Sequence, residues 1–422
     1  MIRTGHQGGY PVHVELHFDY AGNEQAKQAS GFISACVHCG FCLETCPTYL
    51  ATRDERDSPR GRIYLIKQLL ETGQAGEQTR THLDRCLSCR SCETTCPSGM
   101  QYGQLLDIGR ELVEEIAPRP PLQAAWRWLL RRGISRPSLF ALGLRLGQMV
   151  RPLLPRSLRA QVPRRVRVGA PPTRVHARKM LLLQGCVQRA ATPATNAAAH
   201  QVFDQLGITL HSAPRAGCCG AVNYHLAAHE DGLDDMRRNI DAWWPAIEAG
   251  AEAIVSTATG CGTMLADYGR LLAADPDYAA KASRVASLAR DAGQVLLAEN
   301  LGSLAADTEV GRVAVHTPCS LQHGLKQPDL IAALLARAGF QLVAAPDSHL
   351  CCGSAGTYSI LEADMSLRLR DRKLRALQEN SPDLIATGNV GCQLHLQAGT
   401  GVPVLHWMEL LDPAAARSSR DG

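Results

Sequence analysis

Apolar residues in the first quarter of the chain recur at helical spacing. One helix is predicted after Pro59, ending at Gly73, with an apolar face formed by Ile63, Ile66, Leu69 and Leu70. A second helix is predicted after Cys96, with an apolar face formed by Leu105, Ile108, Leu112 and Ile116. The polar lead at 1–24 shows no periodic pattern, and we expect it to be a mobile tail.

From Lys179 onward, short apolar runs alternate with stretches of helical spacing. The strand-like runs are MLLLQ, GITLHSA and AIVSTAT in one half, and VAVH, GFQLVAA and LIATGN in the other. Strands that alternate with helices are typical of α/β units with a mainly parallel sheet. Because both halves show the same order of elements, the sequence predicts an internal repeat.

Cysteines mark the same points of both halves. In each half, 31 residues separate the first cysteine from a CC pair, and 41 or 39 residues separate that pair from the last cysteine. The cysteines are Cys186, Cys218, Cys219 and Cys261 in the first half, and Cys319, Cys351, Cys352 and Cys392 in the second. Because they follow predicted strands or turns, we expect them at one edge of each sheet, where open α/β sheets bind ligands.

The CC pairs favour metal or redox chemistry over buried structural cysteine. Adjacent cysteines cannot easily form a disulfide with each other. Gly220 and Gly353 allow a tight turn, which we expect to aim both sulfurs outward. Each group of four cysteines could then hold one centre, including a further iron–sulfur centre.

Two further cysteine motifs precede the repeats, and both read CxxCxxCxxxCP. This is the spacing of bacterial two-cluster ferredoxins, in which three close cysteines bind one [4Fe-4S] cluster and the fourth binds the other. The predicted ligand sets are Cys36, Cys39, Cys42 and Cys96 for one cluster, and Cys86, Cys89, Cys92 and Cys46 for the other. Disulfides would not persist inside a cell, and zinc usually takes paired CxxC units, so both rivals fit less well.

Positive charge is concentrated in residues 116–180, which carry fifteen Arg or Lys and no Asp or Glu, although the whole chain has a formal charge of only +4. Prolines divide this segment into short pieces with apolar faces. We interpret it first as a linker that docks neighbouring domains or partners, next as a membrane-surface contact, and last as a nucleic-acid patch. Arg60 and Arg62 could lie near a cluster, near a partner's acidic face or on a solvated turn.

Composition is typical of a globular protein from a reducing compartment. Of the 422 residues, 45% are hydrophobic, which is ample for several cores. The start has no apolar core of a secretory signal, and no window of about 18 apolar residues could span a bilayer. Sixteen cysteines without an export signal favour metal ligands and a cytoplasmic location.

These patterns predict a multidomain α + α/β fold, with an N-terminal helical two-cluster ferredoxin domain followed by two tandem α/β CCG repeats. The predicted segments are a tail at 1–24, the ferredoxin domain at 25–116, a basic linker with short helices at 117–178, repeats at 179–304 and 305–412, and a tail at 413–422. No FAD or nicotinamide site is predicted, because no GxGxxG follows a strand and opens a helix.

Longer strings in the chain carry a resemblance. The pairing of two ferredoxin motifs with two CCG repeats resembles the iron–sulfur subunits grouped with heterodisulfide reductase, anaerobic glycerol-3-phosphate dehydrogenase and lactate-utilisation proteins. Within that group, the chain resembles the glycolate oxidase iron–sulfur subunit family over about residues 26–412. The strings are ACVHCGFCLETCPTYL, DSPRGRIYLIKQ, HLDRCLSCRSCETTCPSG, LLDIGRELVE, AGCCGAVNYHL, RNIDAWWPAIEAGAEAI, PDSHLCCGSAGTYS and GCQLH.

The resemblance implies a membrane-associated glycolate dehydrogenase complex, peripheral on the inner face of the cytoplasmic membrane. FAD-bearing partner subunits would oxidise glycolate or D-lactate to the 2-oxo acid. This chain, with no substrate-oxidising site of its own, would pass the electrons toward an acceptor such as quinone. The eight ferredoxin cysteines carry over as ligands of two [4Fe-4S] clusters. One departure is that many CCG modules end in CxxC, whereas this chain has Met264 and His395 there, and a structural role suits His395 better than ligation.

Another class of function would place the chemistry in the CCG half. The chain would then be the subunit of a related dehydrogenase, or a disulfide or quinone reductase that acts at a CC pair. His225, His229 or His349 could serve as a proton donor there, although such histidines are more often structural. A nucleic-acid binder would have to show tight, salt-dependent DNA binding, and the cluster motifs argue against it.

Overall fold

The computed structural model divides the chain into two compact units, with the boundary between Pro121 and Leu122. The described residues are 12–155, 159, 161–166, 168–304, 306, 308–412 and 414–415. Residues 1–11 of the predicted first tail, and all but two residues of the tail at 413–422, lie outside them.

The first unit is helical, as predicted, with short 3-10 turns at Phe18–Tyr20 and Glu55–Asp57. Its helices are α1 (Glu24–Ser34), α2 (Pro47–Thr52), α3 (Pro59–Thr72), α4 (Glu77–Asp84), α5 (Ser91–Thr95) and α6 (Tyr102–Ile116). Their apolar faces form one core, and Ile66, Leu70 and Leu105 in it are fully buried. These are positions that the helical spacing assigns to the inward faces of α3 and α6.

The local sequence sets both ends of α3. The amide of Gly61 donates to the Ser58 hydroxyl at 2.9 Å, and Pro59 occupies the first helical position, where no backbone donor is needed. Gly73 ends the helix in the left-handed region, with φ of 68°. A Cβ atom at Gly61 would lie 1.9 Å from the carbonyl oxygen of Glu55, so only glycine allows the 3-10 turn to pack there.

The lead before α1 is packed over its described part. Val14 and Tyr20 are each 8% exposed and belong to the core of the first unit. The amide of His17 donates to the carbonyl of Leu70 at 2.8 Å. The expectation of a mobile tail is therefore wrong for residues 12–23, because a few separated apolar side chains give too weak a periodic signal.

The basic segment begins with two full helices rather than short pieces. These are α7 (Pro121–Ser135) and α8 (Pro137–Val150), with 15 and 14 residues. Pro121 and Pro137 do not interrupt these helices. Each is the first residue of its helix, where proline is favoured. Trp126, Leu142 and Met149 on these helices are 49%, 56% and 75% exposed. Within the described ranges, no helix is both long enough and apolar enough to cross a membrane.

Each half of the second unit contains a four-stranded parallel sheet, which confirms the predicted α/β repeats. The strand order is β2-β1-β3-β4 in the first and β6-β5-β7-β8 in the second. The strands are β1 (Arg178–Leu183), β2 (Ile208–His211), β3 (Ile254–Ser256), β4 (Ala289–Asp291), β5 (Arg312–His316), β6 (Gln341–Val343), β7 (Leu384–Thr387) and β8 (Val404–His406). The sequence pattern misses β4 and β8, which have three residues each and lie beyond the last cysteines.

Helices connect the strands, and one core extends across both repeats. The helices are α9 (Gln188–Ala191), α10 (Pro193–Gln205), α11 (Ala221–Tyr224), α12 (His229–Glu248), α13 (Thr259–Leu271), α14 (Ala279–Leu288), α15 (Ala292–Leu297), α16 (Leu330–Arg337), α17 (Tyr358–Leu361), α18 (Ala363–Gln378), α19 (Val390–Gln397) and α20 (Trp407–Leu410), with a π-turn at Ser320–Gly324. The shared core joins Phe203 and Val255 of the first repeat to Ile331 and Trp407 of the second.

The strand order brings the cysteine-bearing loops together. In each sheet the order reverses between the first and third strands, and such a reversal opens a ligand crevice at the carboxyl ends of the strands. Cys186 and Cys261 follow β1 and β3, while Cys319 and Cys392 follow β5 and β7. The structure therefore places these cysteines at the expected edge of each sheet.

Candidate metal centres

The two ferredoxin motifs fold into loops of the same shape. His38 and Ser88 occupy the same place in their motifs, as do Gly40 and Arg90, and all four have φ between 52° and 83°. Three of the four carry a Cβ atom in this unfavourable region, so the surrounding fold must hold them there. The repeated shape is the kind of tight turn that directs three thiols of a motif at one cluster.

The first set of thiols surrounds a single cavity. Cys36, Cys39, Cys42 and Cys96 all line it, so the fourth cysteine of the second motif does reach the first loop. Burial raises the pKa of the Cys42 thiol to about 11, so a metal must compete with a proton for that sulfur. Cys92 of the second motif also lines this cavity, and the other four thiols are the number that a cluster with one thiolate at each corner requires.

The surroundings of Cys96 stabilise its thiolate form. Burial alone would raise its pKa, but the Ser98 hydroxyl and the backbone amides of Met100, Ser98 and Gly99 lower it below the ordinary value. The Ser98 Oγ lies 3.2 Å from the Cys96 sulfur. Hydrogen bonds of this kind stabilise thiolates and the sulfurs of a cluster.

The second set of thiols lies deeper in the unit. Burial raises the pKa of Cys92 well above the ordinary value, and the neighbouring charges of Cys89, Cys86 and Cys46 raise it further. Cys46 of the first motif is therefore grouped with the three close cysteines of the second. The Tyr102 hydroxyl donates to the Cys86 sulfur at 3.6 Å, which supplies a hydrogen bond to this site.

Arg62 is a fully buried cation beside the second set. Its Nε donates to the carbonyl of His82 at 2.6 Å, and both Nη atoms lie 3.2 Å from the Thr48 hydroxyl. Asp57 is its counter-ion at 3.6 Å and also binds Nδ1 of His82 at 2.8 Å. The guanidinium is thus fixed on several sides, as a buried charge must be.

The charge of Arg62 faces sulfur. Burial would lower its pKa, but the net effect is a raised pKa because of the nearby groups Cys86, Tyr102, Cys46 and Asp57. Arg60 lines the cavity of the first set and pairs with Glu55 at 2.8 Å. The sequence allowed these arginines to lie near a cluster, near a partner's acidic face or on a solvated turn. The structure supports the first of these, because both lie beside predicted cluster ligands.

Gly220 and Gly353 form the expected tight turns, with φ of 92° and 88°. A Cβ atom at these positions would lie 2.7 Å from the carbonyl of Gly232 in α12, or 2.6 Å from that of Ser366 in α18. The same two helices cover the turns, so the expectation of outward-facing sulfurs is wrong. Exposure is between 0% and 5% for Cys218, Cys219, Cys351 and Cys352.

In the first repeat, the four sulfurs form a chain of contacts that runs from Cys186 through Cys218 and Cys219 to Cys261. Hydrogen bonds from Cys186 and Cys219 lower the pKa of Cys218 well below the ordinary value. The same bonds raise the pKa of Cys186 and Cys219. The predicted tetrad is thus brought together, with Cys218 as its most acidic thiol.

The second repeat gathers its thiols in the same order. The sulfurs of Cys319 and Cys351 are 3.8 Å apart, and Cys352 contacts both Cys351 and Cys392. The hydrogen bond that the Cys319 thiol donates to the Cys351 sulfur, together with burial, raises the pKa of Cys319 well above the ordinary value. The second predicted tetrad is therefore also assembled by the fold.

Asn389 links the two cysteine groups across the repeats. Its Nδ2 lies 3.7 Å from the Cys392 sulfur, and its Oδ1 accepts from the amide of Gly260 at 3.3 Å. The hydroxyls of Thr259 and Ser320 lie 2.7 Å apart beside this contact. The starts of α13 and α19, which carry the last cysteine of each repeat, therefore lie side by side.

Comparison with known proteins decides the family. Residues 32–100 match the family model described as a 4Fe-4S dicluster domain, and residues 180–266 and 313–397 match that described as a cysteine-rich domain. The chain is 49% identical to the glycolate oxidase iron-sulfur subunit of Escherichia coli (strain K12), over 96% of this chain and 99% of that one. The chain belongs to the glycolate oxidase iron–sulfur subunit family. It is therefore an iron–sulfur subunit of an oxidoreductase, and [4Fe-4S] clusters are its cofactors.

More distant proteins match either most of the chain or half of it. The probable glycolate oxidase iron-sulfur subunit of Bacillus subtilis (strain 168) is 29% identical over 93% of this chain and 96% of its own length. Lactate utilization protein A of Geobacillus thermodenitrificans (strain NG80-2) is 26% identical over 50% of this chain and 89% of its own. A crystal structure of a hypothetical protein from Helicobacter pylori shares the fold, with a TM-score of 0.55, 10% identity, and coverage of 95% of this chain and 75% of that one.

In this member of the glycolate oxidase iron–sulfur subunit family, sequence reasoning missed His316. Its imidazole groups with the sulfurs of Cys352 and Cys392, and the three donor atoms lie within 4.8 Å of one another. The available signal was the string HTPC, in which a histidine stands three residues before a predicted ligand. The matching residue of the first repeat is Leu183.

The other candidate side chains have structural positions. Nε2 of His395 lies 3.1 Å from the Ser366 hydroxyl, and Met264 is a core residue with 3% exposure. The ring of His229 stacks on that of Tyr224 at 4.1 Å, and His225 meets the same ring edge-on at 6.0 Å. His349 is exposed to solvent.

Proposed function

We propose that this chain is the electron-transfer subunit of a multi-subunit glycolate (D-lactate) dehydrogenase. FAD-containing partner subunits oxidise glycolate to glyoxylate, and the electrons pass through this chain toward a membrane acceptor such as quinone. The observation that carries the proposal is the crossing of two thiol sets in one helical unit, with Cys96 at the first site and Cys46 at the second. The names of the relatives supply the substrate class, glycolate or lactate.

The ligand assignment is part of this proposal. The thiolates of the first cluster are Cys36, Cys39, Cys42 and Cys96, and those of the second are Cys86, Cys89, Cys92 and Cys46. Each cluster supplies one-electron transfer, which suits a flavin partner that gives up its two electrons singly. The protein contributes the thiolates, the hydrogen bonds to sulfur and the charge around each site.

The predicted ligands of the first cluster are more exposed than those of the second, so the first site lies nearer the protein surface. Cys39 is exposed, and Val37 and Phe41 beside it are 44% and 59% exposed. Cys46 and Cys86 of the second site are 6% and 9% exposed. We therefore place a redox-partner contact at the outer edge of the first motif, where apolar side chains adjoin the exposed thiol.

Arg62 biases the inner site toward its reduced state. Reduction adds a negative charge, and a buried cation stabilises that charge more strongly than a solvated one. Arg62→Met is therefore expected to lower the reduction potential of one cluster and leave the other nearly unchanged, as measured by an EPR-monitored redox titration. Asp57 keeps a partner in this variant, because Arg85 lies 3.2 Å from it.

The test of the function uses the full chain, co-expressed with its partner subunits and purified without oxygen. About eight irons per chain and two interacting EPR signals are expected from the ferredoxin motifs. Cys89→Ala is expected to lose one signal together with glycolate turnover, whereas Cys261→Ala, a matched change in the second unit, keeps both signals. Fewer than four irons in the unaltered chain, or glycolate oxidation by this chain alone, would overturn the proposal.

We also propose that α7 and α8 form a peripheral contact with the inner face of the cytoplasmic membrane. Leu122, Trp128 and Leu139 are 86%, 52% and 50% exposed, in a segment without acidic residues. Such helices bind anionic lipid through charge and buried apolar side chains. The complex is expected to float with phosphatidylglycerol vesicles at low salt and to be released at high salt. Equal binding to neutral vesicles, or none to either, would contradict this contact.

A reductase that acts at the CCG half is the alternative. Cys218, with its lowered pKa, would be the attacking thiolate. Its side chain is 0% exposed, so a substrate disulfide has no access to it in this conformation. Reduction of an artificial disulfide by the isolated chain would favour this alternative over the conduit.

A further inference from the structure

At one matched position, the first repeat has an apolar residue and the second has a histidine. Leu183 ends β1 and His316 ends β5, and they pair with Ser256 and Thr387 on the third strands of their sheets. They are 133 positions apart, as are the first cysteines that follow them. The backbone frame is therefore the same, while an apolar side chain is exchanged for one of the commonest metal ligands.

The imidazole of His316 is buried without a hydrogen-bond partner. The residue is 1% exposed, and within the described ranges neither Nδ1 nor Nε2 has a partner. Buried polar groups are nearly always bonded, and leaving one unpaired is unfavourable. A bond to a metal ion would satisfy one of the two nitrogens.

The spacing of the donors fits one ion better than a cluster. The donor atoms of His316, Cys352 and Cys392 lie within 4.8 Å of one another. Tetrahedral zinc, with bonds of about 2.0–2.3 Å, holds its ligand atoms about 3.5–3.8 Å apart. The thiolates of a cubane bind different irons and are spread around the whole cluster. Three donors this close therefore need little movement to share one ion.

Further thiols and a buried cation complete the surroundings. The sulfurs of Cys319 and Cys351 lie 3.8 Å apart, and Cys351 adjoins Cys352. Lys373 is 2% exposed, and its charge acts on Cys352, Cys351 and Cys392. A buried ammonium group matches a site with more thiolate charge than a divalent cation cancels.

We propose that the second repeat binds a single divalent cation of the zinc class through His316, Cys352 and Cys392, with a fourth sulfur from Cys319 or Cys351. Binding displaces the thiol protons of the ligating cysteines to solvent, and no electron is transferred. The first repeat, with Leu183 in place of the histidine, does not bind this ion. The proposal is independent of the electron-transfer function, because it concerns other residues and a metal without redox chemistry.

The experiment measures metal content and zinc-edge X-ray absorption on the full chain, purified with its clusters. About one zinc per chain is expected, with a nitrogen neighbour near 2.0 Å and sulfur neighbours near 2.3 Å. His316→Leu installs the residue that the first repeat carries at this position. This variant is expected to lose the nitrogen neighbour and to bind zinc at least tenfold more weakly in a chelator competition. His395→Gln is the matched control and keeps both.

Several outcomes would overturn the proposal. These are a nitrogen neighbour retained in His316→Leu, an unaltered chain without zinc after growth in zinc, or a loss of about four irons in Cys352→Ser, which would indicate a cluster. His316→Leu could fail to fold, which loss of the ferredoxin EPR signals would show. In that case the zinc-edge spectrum of the unaltered chain tests the proposal, through the presence or absence of the nitrogen neighbour. Cys219→Ser, the first-repeat counterpart of Cys352→Ser, is expected to leave the zinc content unchanged.

Discussion

The two CCG repeats share a backbone plan and differ in what surrounds their sulfurs. Both have the same strand order, and both place a left-handed glycine after the CC pair, at Gly220 and Gly353. In the first repeat, the turn is held by the amide side chain of Asn239, whereas the second uses the hydroxyl of Ser366. The fold therefore fixes where the thiols stand, and the neighbouring side chains fix what they can do.

The supports of the two turns differ in strength. Asn239, which is 0% exposed, accepts from the amide of Gly217 at 2.8 Å and donates to the carbonyl of Cys218 at 2.6 Å. In the second repeat, Ser366 donates to the carbonyl of Gly353 at 2.7 Å. One side chain therefore satisfies two backbone groups in the first repeat, and one such group in the second.

The largest effect is expected from Asn239→Ala. It leaves a buried amide and a buried carbonyl unpaired, at about 1–3 kcal/mol each, so the free energy of unfolding should fall by about 3 kcal/mol. Ser366→Ala removes one bond to the turn, and His395 keeps the backbone carbonyl of residue 366 as a partner at 3.3 Å after losing the hydroxyl, so the variant should cost about 1 kcal/mol. Urea unfolding of the full chain, followed by tryptophan fluorescence, measures both. Equal losses would show that the two turns are supported alike.

A smaller effect is expected from Lys373→Met. Nζ of Lys373 donates to the carbonyls of Asp347 and Ser348 at 2.8 and 3.0 Å, and the matched residue of the first repeat is Ile240. Losing these charged bonds should cost about 2 kcal/mol, since the freed carbonyls can find water. Arg372→Met breaks only an exposed pair with Asp347, so it serves as the control and should cost less than about 1 kcal/mol. Equal losses of unfolding free energy in the two variants would show that the buried Lys373 stabilises the second repeat no more than an exposed ion pair does.

The smallest effect concerns the residues that cap the helix after the fourth strand. Asp291 accepts from the amide of Gly293, and His406 accepts from that of Met408. Burial raises the pKa of Asp291 to about 7 and lowers that of His406 to about 4. The Asp291 contribution is complete below about pH 4 and is lost as the pH rises through 7. The His406 contribution is complete above about pH 6.5 and is lost as the pH falls through 4.

Substitution of each cap should remove one of these opposite slopes. Asp291→Asn keeps the capping oxygen and should raise the melting temperature by about 2–4 °C at pH 8, with no gain at pH 4. His406→Gln should flatten the fall in stability below pH 6 and leave the alkaline side unchanged. Melting curves between pH 4 and 8 check both. The same pH dependence in both variants would contradict the assigned titrations.

Sequence reasoning reached furthest where chemistry repeats at fixed spacing. The CxxCxxCxxxCP pattern predicts that Cys46 and Cys96 are exchanged between the clusters, and this stays a prediction, while the structure places Cys96 in the cavity of the first motif and Cys46 near Cys92. It was incomplete for Arg62, for which a position near a cluster was one of three alternatives, because arginine is mostly a surface residue. It missed His316, because a single histidine at a strand end carries no periodic signal.

The sequence by itself determined the parts: two cysteine motifs, two α/β repeats and the turns at their CC pairs. Local spacing is enough to predict these parts, because a cluster-binding motif, a strand and a left-handed glycine turn each depend on residues that are close together in the chain. Only the tertiary structure decided which charges and donors face the sulfurs. Arg62 reaches the second site through contacts with Thr48 and the carbonyl of His82, which lie 14 and 20 positions away in the chain. His316 meets Cys392 from 76 positions away, because parallel strands end at the same edge of a sheet.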